Sequence, residues 1–186
     1  MKLLFLDAEL RKEISRTKRI SDAFLEVAKK RYEIETIDID SLHWLPKSSK
    51  EVIDNEIAPQ YQQMARKVAS SDLLVIGAPF YDMSIPSCLK VFIERCSMPG
   101  ETFYDETLGG GCNAKAMVYI TTRGFDIEDE SELDGASFYL KALCWLWKIP
   151  TFHLLSADSL DMLSVEDGEK RIQEAILKAK QLAMEI

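Results

Sequence analysis

Apolar positions along the chain fall into short continuous runs, separated by stretches in which they recur every three or four residues. Lys2–Ala8 (KLLFLDA) is nearly continuously apolar and predicts a buried strand. Ser15–Lys30 predicts a helix, with Ile20, Ala23, Phe24, Val27 and Ala28 at i, i+3, i+4, i+7 and i+8. Tyr32–Ile39 alternates as a half-buried edge strand does. From about Pro59 to Ser70 a helical face carries Tyr61, Met64, Ala65 and Val68. The pattern then predicts a strand at Leu73–Ala78, a helix at Cys88–Cys96 and a strand at Ala114–Thr122. A helix at Ala136–Lys148 and a strand at Thr151–Ala157 follow. Ser164 caps a last helix with Ile172, Ala175, Ile176 and Ala179 turned inward.

Five strand–helix units of this kind imply an α/β protein with a parallel sheet covered on both faces. The expectation is one domain over residues 1–186, a doubly wound five-stranded parallel sheet of order 2-1-3-4-5. Such sheets take ligands just beyond the carboxyl ends of their strands. Asp7–Ser15, Pro79–Pro86 and Thr121–Asp134 fall there. Ser97–Asn113, with its Gly109-Gly110-Gly111 run, is either a lid or a plain surface connection.

Composition narrows the classes. The formal net charge of −8 argues against general nucleic-acid binding, which needs a basic surface. No apolar stretch reaches the roughly 18 residues of a membrane span. Cys88, Cys96, Cys112 and Cys144 show no C-x-x-C spacing and read as reduced cytoplasmic thiols, with no metal site expected. No G-x-x-x-x-G-K-[ST] is present, and no G-x-G-x-x-G follows the first strand. No cysteine has an arginine six residues later, which excludes a Cys-type phosphatase loop.

The first helix carries an odd charge pattern. Ser15 is placed as its N-cap, and Thr17 adds a second hydroxyl. Arg16, Lys18 and Arg19 crowd the positive end of the dipole, each costing about 0.3–1 kcal/mol. The last helix shows the favourable signs, Glu166, Asp167 and Glu169. A phosphate at the first helix would reverse the penalty; basic side chains turned into water would also relieve it. Between Pro79 and Pro86, the residues Phe80, Tyr81, Asp82 and Met83 sit at the ligand edge, where they either line a flat apolar ring or pack a helix on the sheet. Thr121, Thr122, Arg123 and Gly124 reach the same edge after the fourth strand. Gly124 admits close backbone approach, and Phe125 is positioned to cover a ring.

These residues together resemble the FMN-dependent NAD(P)H:quinone oxidoreductases and azoreductases of flavodoxin-like fold, over most of the chain. Ser15-Arg16-Thr17 is similar to the family's hydroxyl-bearing phosphate loop. Pro79-Phe80-Tyr81-Asp82-Met83, followed by Ile85-Pro86-Ser87-Cys88-Leu89-Lys90, resembles P-M-Y-N-F with I-P-x-x-L-K. Gly100-Glu101-Thr102-Phe103 resembles G-x-T-F, and Thr122-Arg123-Gly124-Phe125 resembles S-R-G-G. The resemblance implies non-covalent FMN held by Ser15, Thr17, Pro79, Phe80, Tyr81, Asp82, Met83, Thr122, Arg123 and Gly124. It implies no catalytic side chain, since the flavin carries the chemistry. It also implies NADH or NADPH as cosubstrate, ping-pong reduction of a quinone or azo compound, and a homodimer with sites at the interface.

Three positions depart from the family pattern: Glu9 for a serine, Asp82 for an asparagine, and Phe125 for the second glycine. A carboxylate about 4 Å from phosphate costs roughly 1 kcal/mol in a watery site and about 4 kcal/mol at intermediate dielectric. Glu9 has two placements open, paired with Arg11 or Arg16, or turned outward. Asp82 lacks the amide donor toward the flavin ring, and Phe125 blocks or reshapes the substrate side. Ala136–Trp147 is apolar nearly all round, and its spare face predicts either a dimer contact or cover by a neighbouring element. His153 reads as structural and His43 as a surface residue. The acidic run 126–134 reads as a solvated loop. A flavodoxin-like electron carrier and a binding module that has lost efficient FMN use are the competing classes.

Overall fold

A computed structural model of the protein describes residues 1–54 and 56–186, with the side chain of Glu13 left aside. Five strands form one all-parallel sheet: β1 (Lys2–Asp7), β2 (Glu33–Asp38), β3 (Leu73–Gly77), β4 (Met117–Thr122) and β5 (Phe152–Ala157). Their order is β2-β1-β3-β4-β5, as the strand–helix alternation predicts. Among the described residues, six α-helices connect or flank them: α1 (Arg16–Ala28), α2 (Ser49–Asp54), α3 (Pro59–Ser70), α4 (Ser87–Cys96), α5 (Gly135–Trp147) and α6 (Val165–Glu185).

The central strands β1, β3 and β4 are nearly continuously apolar because each faces two cores, whereas the edge strand β2 is half-exposed. Leu3, Phe5, Leu73, Val75, Val118 and Ile120 pack beneath α1 and α6, with Ile20, Phe24, Ile172 and Ala179. Leu4, Leu6, Leu74, Ile76, Met117 and Tyr119 pack on the other face against Val68, Leu89, Phe92, Leu140 and Trp147 of α3, α4 and α5. The period-two alternation of strand side chains divides each run between the two faces. Register follows directly, with Leu3 beside Leu73 and Leu74 beside Met117. Among the described residues, no helix is long and apolar enough to cross a membrane.

Two differences from the sequence reading are local. Strand pairing of β4 starts at Met117, not Ala114, because the chain bends at Lys115, whose N–H donates to Asp72 O beyond the start of β3. Helix α2 goes unread because its apolar residues, Val52 and Ile53, are exposed and form no inward face. Its signal is a capping box: Ser48 N–H donates to Glu51 Oε2, and Glu51 N–H donates to Ser48 Oγ.

Arg95, on α4, is buried and clamps this segment to the body of the protein. Its guanidinium donates to Leu45 O at 2.9 Å, to Pro46 O at 2.9 Å and to Glu51 Oε1 at 2.6 Å. It also covers the Tyr61 ring at 4.4 Å. Arg95→Ala should destabilise the protein by about 2 kcal/mol, discounted from a fully buried pair because Glu51 is partly exposed. Urea unfolding measures the loss, and limited proteolysis should show earlier cleavage between residues 45 and 54.

Candidate functional site

The carboxyl ends of β1, β3 and β4 surround a cavity of about 420 Å³. Its floor and one end come from the start of α1. Ser15 is extended at φ −71° and ψ 122°, and its Oγ accepts the Lys18 amide at 3.1 Å. That leaves the Ser15 hydroxyl hydrogen for another acceptor. Thr17 is buried, and its Oγ1 lies 2.6 Å from Thr122 Oγ1 at the end of β4. The two hydroxyls share one hydrogen, so the pair retains a second to donate. The amides of Arg16 and Thr17 belong to the first turn, where no intrahelical acceptor exists.

A second wall is the loop after β3. Phe80 N–H donates to Thr122 O at 3.3 Å, which ties this loop to β4. Tyr81 and Ser84 exchange both backbone hydrogen bonds, at 2.9 and 2.8 Å. Asp82 and Met83 between them have φ of 48° and 63°, so the turn is the left-handed two-residue type. Such a conformation costs a methionine roughly 1–2 kcal/mol, held here by the surrounding packing. The Met83 carbonyl lies where a Cβ on Gly135 would come within 2.6 Å, so glycine at the start of α5 makes room for the turn.

The third wall is Thr122, Gly124, Phe125 and Ile127. Ser15, Thr17, Pro79, Phe80, Tyr81, Asp82, Met83, Thr122 and Gly124 all line this one cavity, with Phe125 69% exposed at its mouth. Arg123 is set apart from them. Its fully buried guanidinium donates to Ile127 O at 2.9 Å, to Asp129 Oδ1 at 2.7 Å and to Asp134 Oδ2 at 2.6 Å. It also stacks 5.2 Å from the Phe80 ring centroid. Asp134 caps α5 by accepting the Ser137 amide at 3.0 Å. Arg123 therefore braces the wall from behind. The 126–134 segment is correspondingly less solvated than its composition suggests, since Ile127 and Asp134 are buried.

The cations of α1 are committed to carboxylates. Arg16 pairs with Asp161 at 2.8 Å, Lys18 with Asp22 at 2.8 Å, and Arg19 with Glu169 through both nitrogens. The unfavourable dipole charges are thus relieved by carboxylates of the protein itself. The charge pattern ceases to argue for an anion; the hydroxyls and amides carry that reading. Asp161 comes from the β5–α6 loop, a fourth segment at the ligand edge that the sequence reading omits. A Cβ on Gly124 would meet its Oδ2 at 2.3 Å, so this glycine accommodates a carboxylate of the protein itself. The rule that ligands bind past the strand ends applies equally to β5 and would have included it.

Glu9 takes neither expected placement. It is 1% exposed, follows β1, and turns inward beneath α1. Ser21 Oγ donates to Oε1 at 2.8 Å, while Oε2 accepts no hydrogen bond among the described residues. A Cβ on Gly77 would lie 2.6 Å from Oε1, so glycine at the end of β3 provides the space. Burial raises the Glu9 pKa from its ordinary 4.5 to about 7, against the lowering effect of the Ser21 bond and with a smaller raising contribution from Asp7.

Sheet order, cavity position and a helix start opening into the cavity define a flavodoxin-like α/β protein. A family described as flavodoxin-like fold matches residues 1–183. The chain is 32% identical over 198 aligned residues to FMN-dependent NADH:quinone oxidoreductase 2 of Clostridium perfringens (strain 13 / Type A), covering 98% of each chain. It is 32% identical over 196 residues to the FMN-dependent NADH:quinone oxidoreductase of Clostridium beijerinckii, again covering 98% of each. Among solved structures, an azoreductase from Bacillus anthracis str. Sterne superposes with a TM-score of 0.81 at 16% identity, over 100% of both chains. An FMN-dependent NADH-azoreductase from Bacillus anthracis str. Ames Ancestor, in complex with FMN, gives 0.80 at 19% identity, over 100% of this chain and 99% of the other. The chain belongs to the flavodoxin-like family of FMN-dependent NADH:quinone oxidoreductases.

Two outcomes follow for the site's framework. Arg123→Ala leaves Asp134 buried without its cation and should cost about 3–5 kcal/mol in urea unfolding. For Glu9, the native state holds an extra proton between about pH 4.5 and 7, so its contribution to stability falls as pH rises through that window. Glu9→Gln should therefore raise the unfolding free energy at pH 8 by up to about 3 kcal/mol, and by less than about 0.5 kcal/mol at pH 4.5. Denaturant titrations at the two pH values measure the difference.

Proposed function

We propose that this protein binds FMN in the cavity at the carboxyl edge of the sheet and uses it to carry two electrons from NADH to a quinone or an azo compound. The observation that carries the reading is the convergence on one cavity of an anion-ready helix start and an aromatic, methionine-containing loop. The residues fit the group. Ser15 and Thr17 hydroxyls and the first amides of α1 suit a phosphate ester, and Phe80, Tyr81 and Met83 offer an apolar wall to a flat ring. The volume lies in the range of small-molecule sites. When bound, FMN supplies the two-electron chemistry, taking and giving a hydride equivalent.

The chain's own residues hold and shield. Thr17 and Thr122 fix the helix start against β4, and Arg123 keeps the Phe80 wall in place. Phe125 stands exposed at the cavity mouth; a ping-pong order, in which NADH leaves before the acceptor binds, belongs to this reading, and NADPH is a second donor to be tested. Asp82 places a carboxylate at the rim, where an amide would otherwise donate.

A homodimer accompanies this reading. Phe138, Trp145 and Leu146 lie on the outer face of α5, and Trp145 is 83% exposed. An exposed tryptophan on an apolar stripe is the signature of a contact surface. The free thiols suit a cytoplasmic location.

Purified protein reconstituted with FMN should be yellow. NADH should bleach the flavin absorbance anaerobically, and a quinone should restore it at a rate independent of residual NADH. A flavin that no pyridine nucleotide reduces would contradict the enzyme and favour an electron carrier.

A further inference from the structure

We infer that Glu9 is a proton-linked positioning residue for the cofactor phosphate: its carboxyl has to be neutral for α1 to hold a doubly negative group, so binding FMN takes up a proton at Glu9. This rests on the cofactor reading above and concerns a residue outside the cavity lining. The inner face of α1 links Glu9 to the cavity. Thr17 and Ser21 are one helical turn apart on that face. Thr17 bonds Thr122 at the cavity, and Ser21 bonds Glu9 beneath it. The Glu9 carboxyl therefore sits about one turn below the anion-receiving end of the helix, and it is sealed from water.

No cation of the surroundings is committed to it. On its own segment the charged neighbour is Asp7, itself in reach of Lys12 at 3.6 Å, and Lys12 also pairs with Asp38 at 2.7 Å. From α1 the facing groups are Lys18 and Asp22, bonded to each other at 2.8 Å, and the Ser21 hydroxyl. From the strands, Gly77 and the Phe5 ring close the space without charge. Arg16 and Arg19 are turned to Asp161 and Glu169. One carboxylate oxygen, Oε2, accepts no bond among the described residues. Such a site suits a neutral carboxyl and penalises an ionised one.

Two negative groups so placed repel through protein, where salt screens them much less than at the surface. Above pH 7 the phosphate ester stays doubly charged, because its second ionisation lies near pH 6. The proton therefore goes to Glu9, whose titration near neutrality makes the exchange accessible. No covalent step is involved; one proton moves from solvent to a Glu9 oxygen as the phosphate seats.

The test is calorimetric titration of FMN into the full-length apoprotein between pH 6.5 and 8.5 at fixed ionic strength. Wild-type affinity should fall about tenfold from pH 7 to 8.5, and Glu9→Gln affinity should change by less than about twofold over the same range. Riboflavin, which lacks the phosphate, should show no such fall with either protein. Repeating the wild-type titration at pH 8 in buffers of different ionisation enthalpy should count close to one proton taken up. That count needs no variant and decides the matter even if Glu9→Gln fails to fold, which thermal melting would reveal. Superimposable wild-type and variant profiles, or no proton uptake, would overturn the inference while FMN binding itself stands. Absence of FMN binding at every pH would overturn the cofactor reading and the inference together.

Discussion

The 2.6 Å contact between Thr17 and Thr122 joins the first turn of α1 to the last residue of β4. Everything at the candidate site depends on where that helix end points. The rest of α1 cannot rotate, because Ile20, Phe24 and Ala28 are sunk in the core between the sheet and α6. Its amides and hydroxyls are thereby aimed into the same cavity that Phe80, Tyr81 and Met83 border. A helix start carries roughly half a positive charge, effective only within the first turn. A shift of a few ångströms would remove that charge from the cavity.

The electrostatic setting offers an anion this dipole together with Arg11 and Arg16 at the cavity wall. The chain carries a formal charge of −8; of the two arginines lining the cavity, Arg16 is paired with Asp161, while Arg11 has no carboxylate partner among the described residues. Arg16 is the one at the cavity that a phosphate would draw from a solvent-exposed partner, Asp161. Exposed pairs of this kind contribute about 0–1 kcal/mol, so the exchange is energetically easy. The buried pair of Arg123 and Asp134 behaves differently. It is fixed, fully enclosed, and joins β4, the aromatic loop and α5 into one frame.

Most of the framework was legible in the sequence because the three central strands are buried on both faces, the edge strand β2 alternates, and each long helix has an apolar stripe. The cavity was legible in outline, since strand ends in a doubly wound sheet converge. What could not be read were interactions between residues far apart in the chain. Arg123 looked like a ligand residue, because nothing local reveals Asp134 behind it. Gly124 looked like a place for ligand approach, and its space is used by Asp161. The cations of α1 looked unsatisfied, and two of their partners lie some 145–150 positions away. Glu9 offered only solvent or an arginine as local choices, because the hollow at Gly77 belongs to another strand. Helix α2 escaped for a different reason: six residues with an exposed apolar pair make no periodic signal.

The central claim is that α1 receives a phosphate while the loop after β3 flanks the ring attached to it. A crystal structure of the FMN complex tests it most directly. The account requires the phosphorus density at the Ser15–Lys18 turn, with phosphate oxygens in hydrogen-bond contact with the Ser15 or Thr17 hydroxyl and with the first α1 amides. A phosphate turned to solvent, or a ring seated at the α1 end, would contradict it.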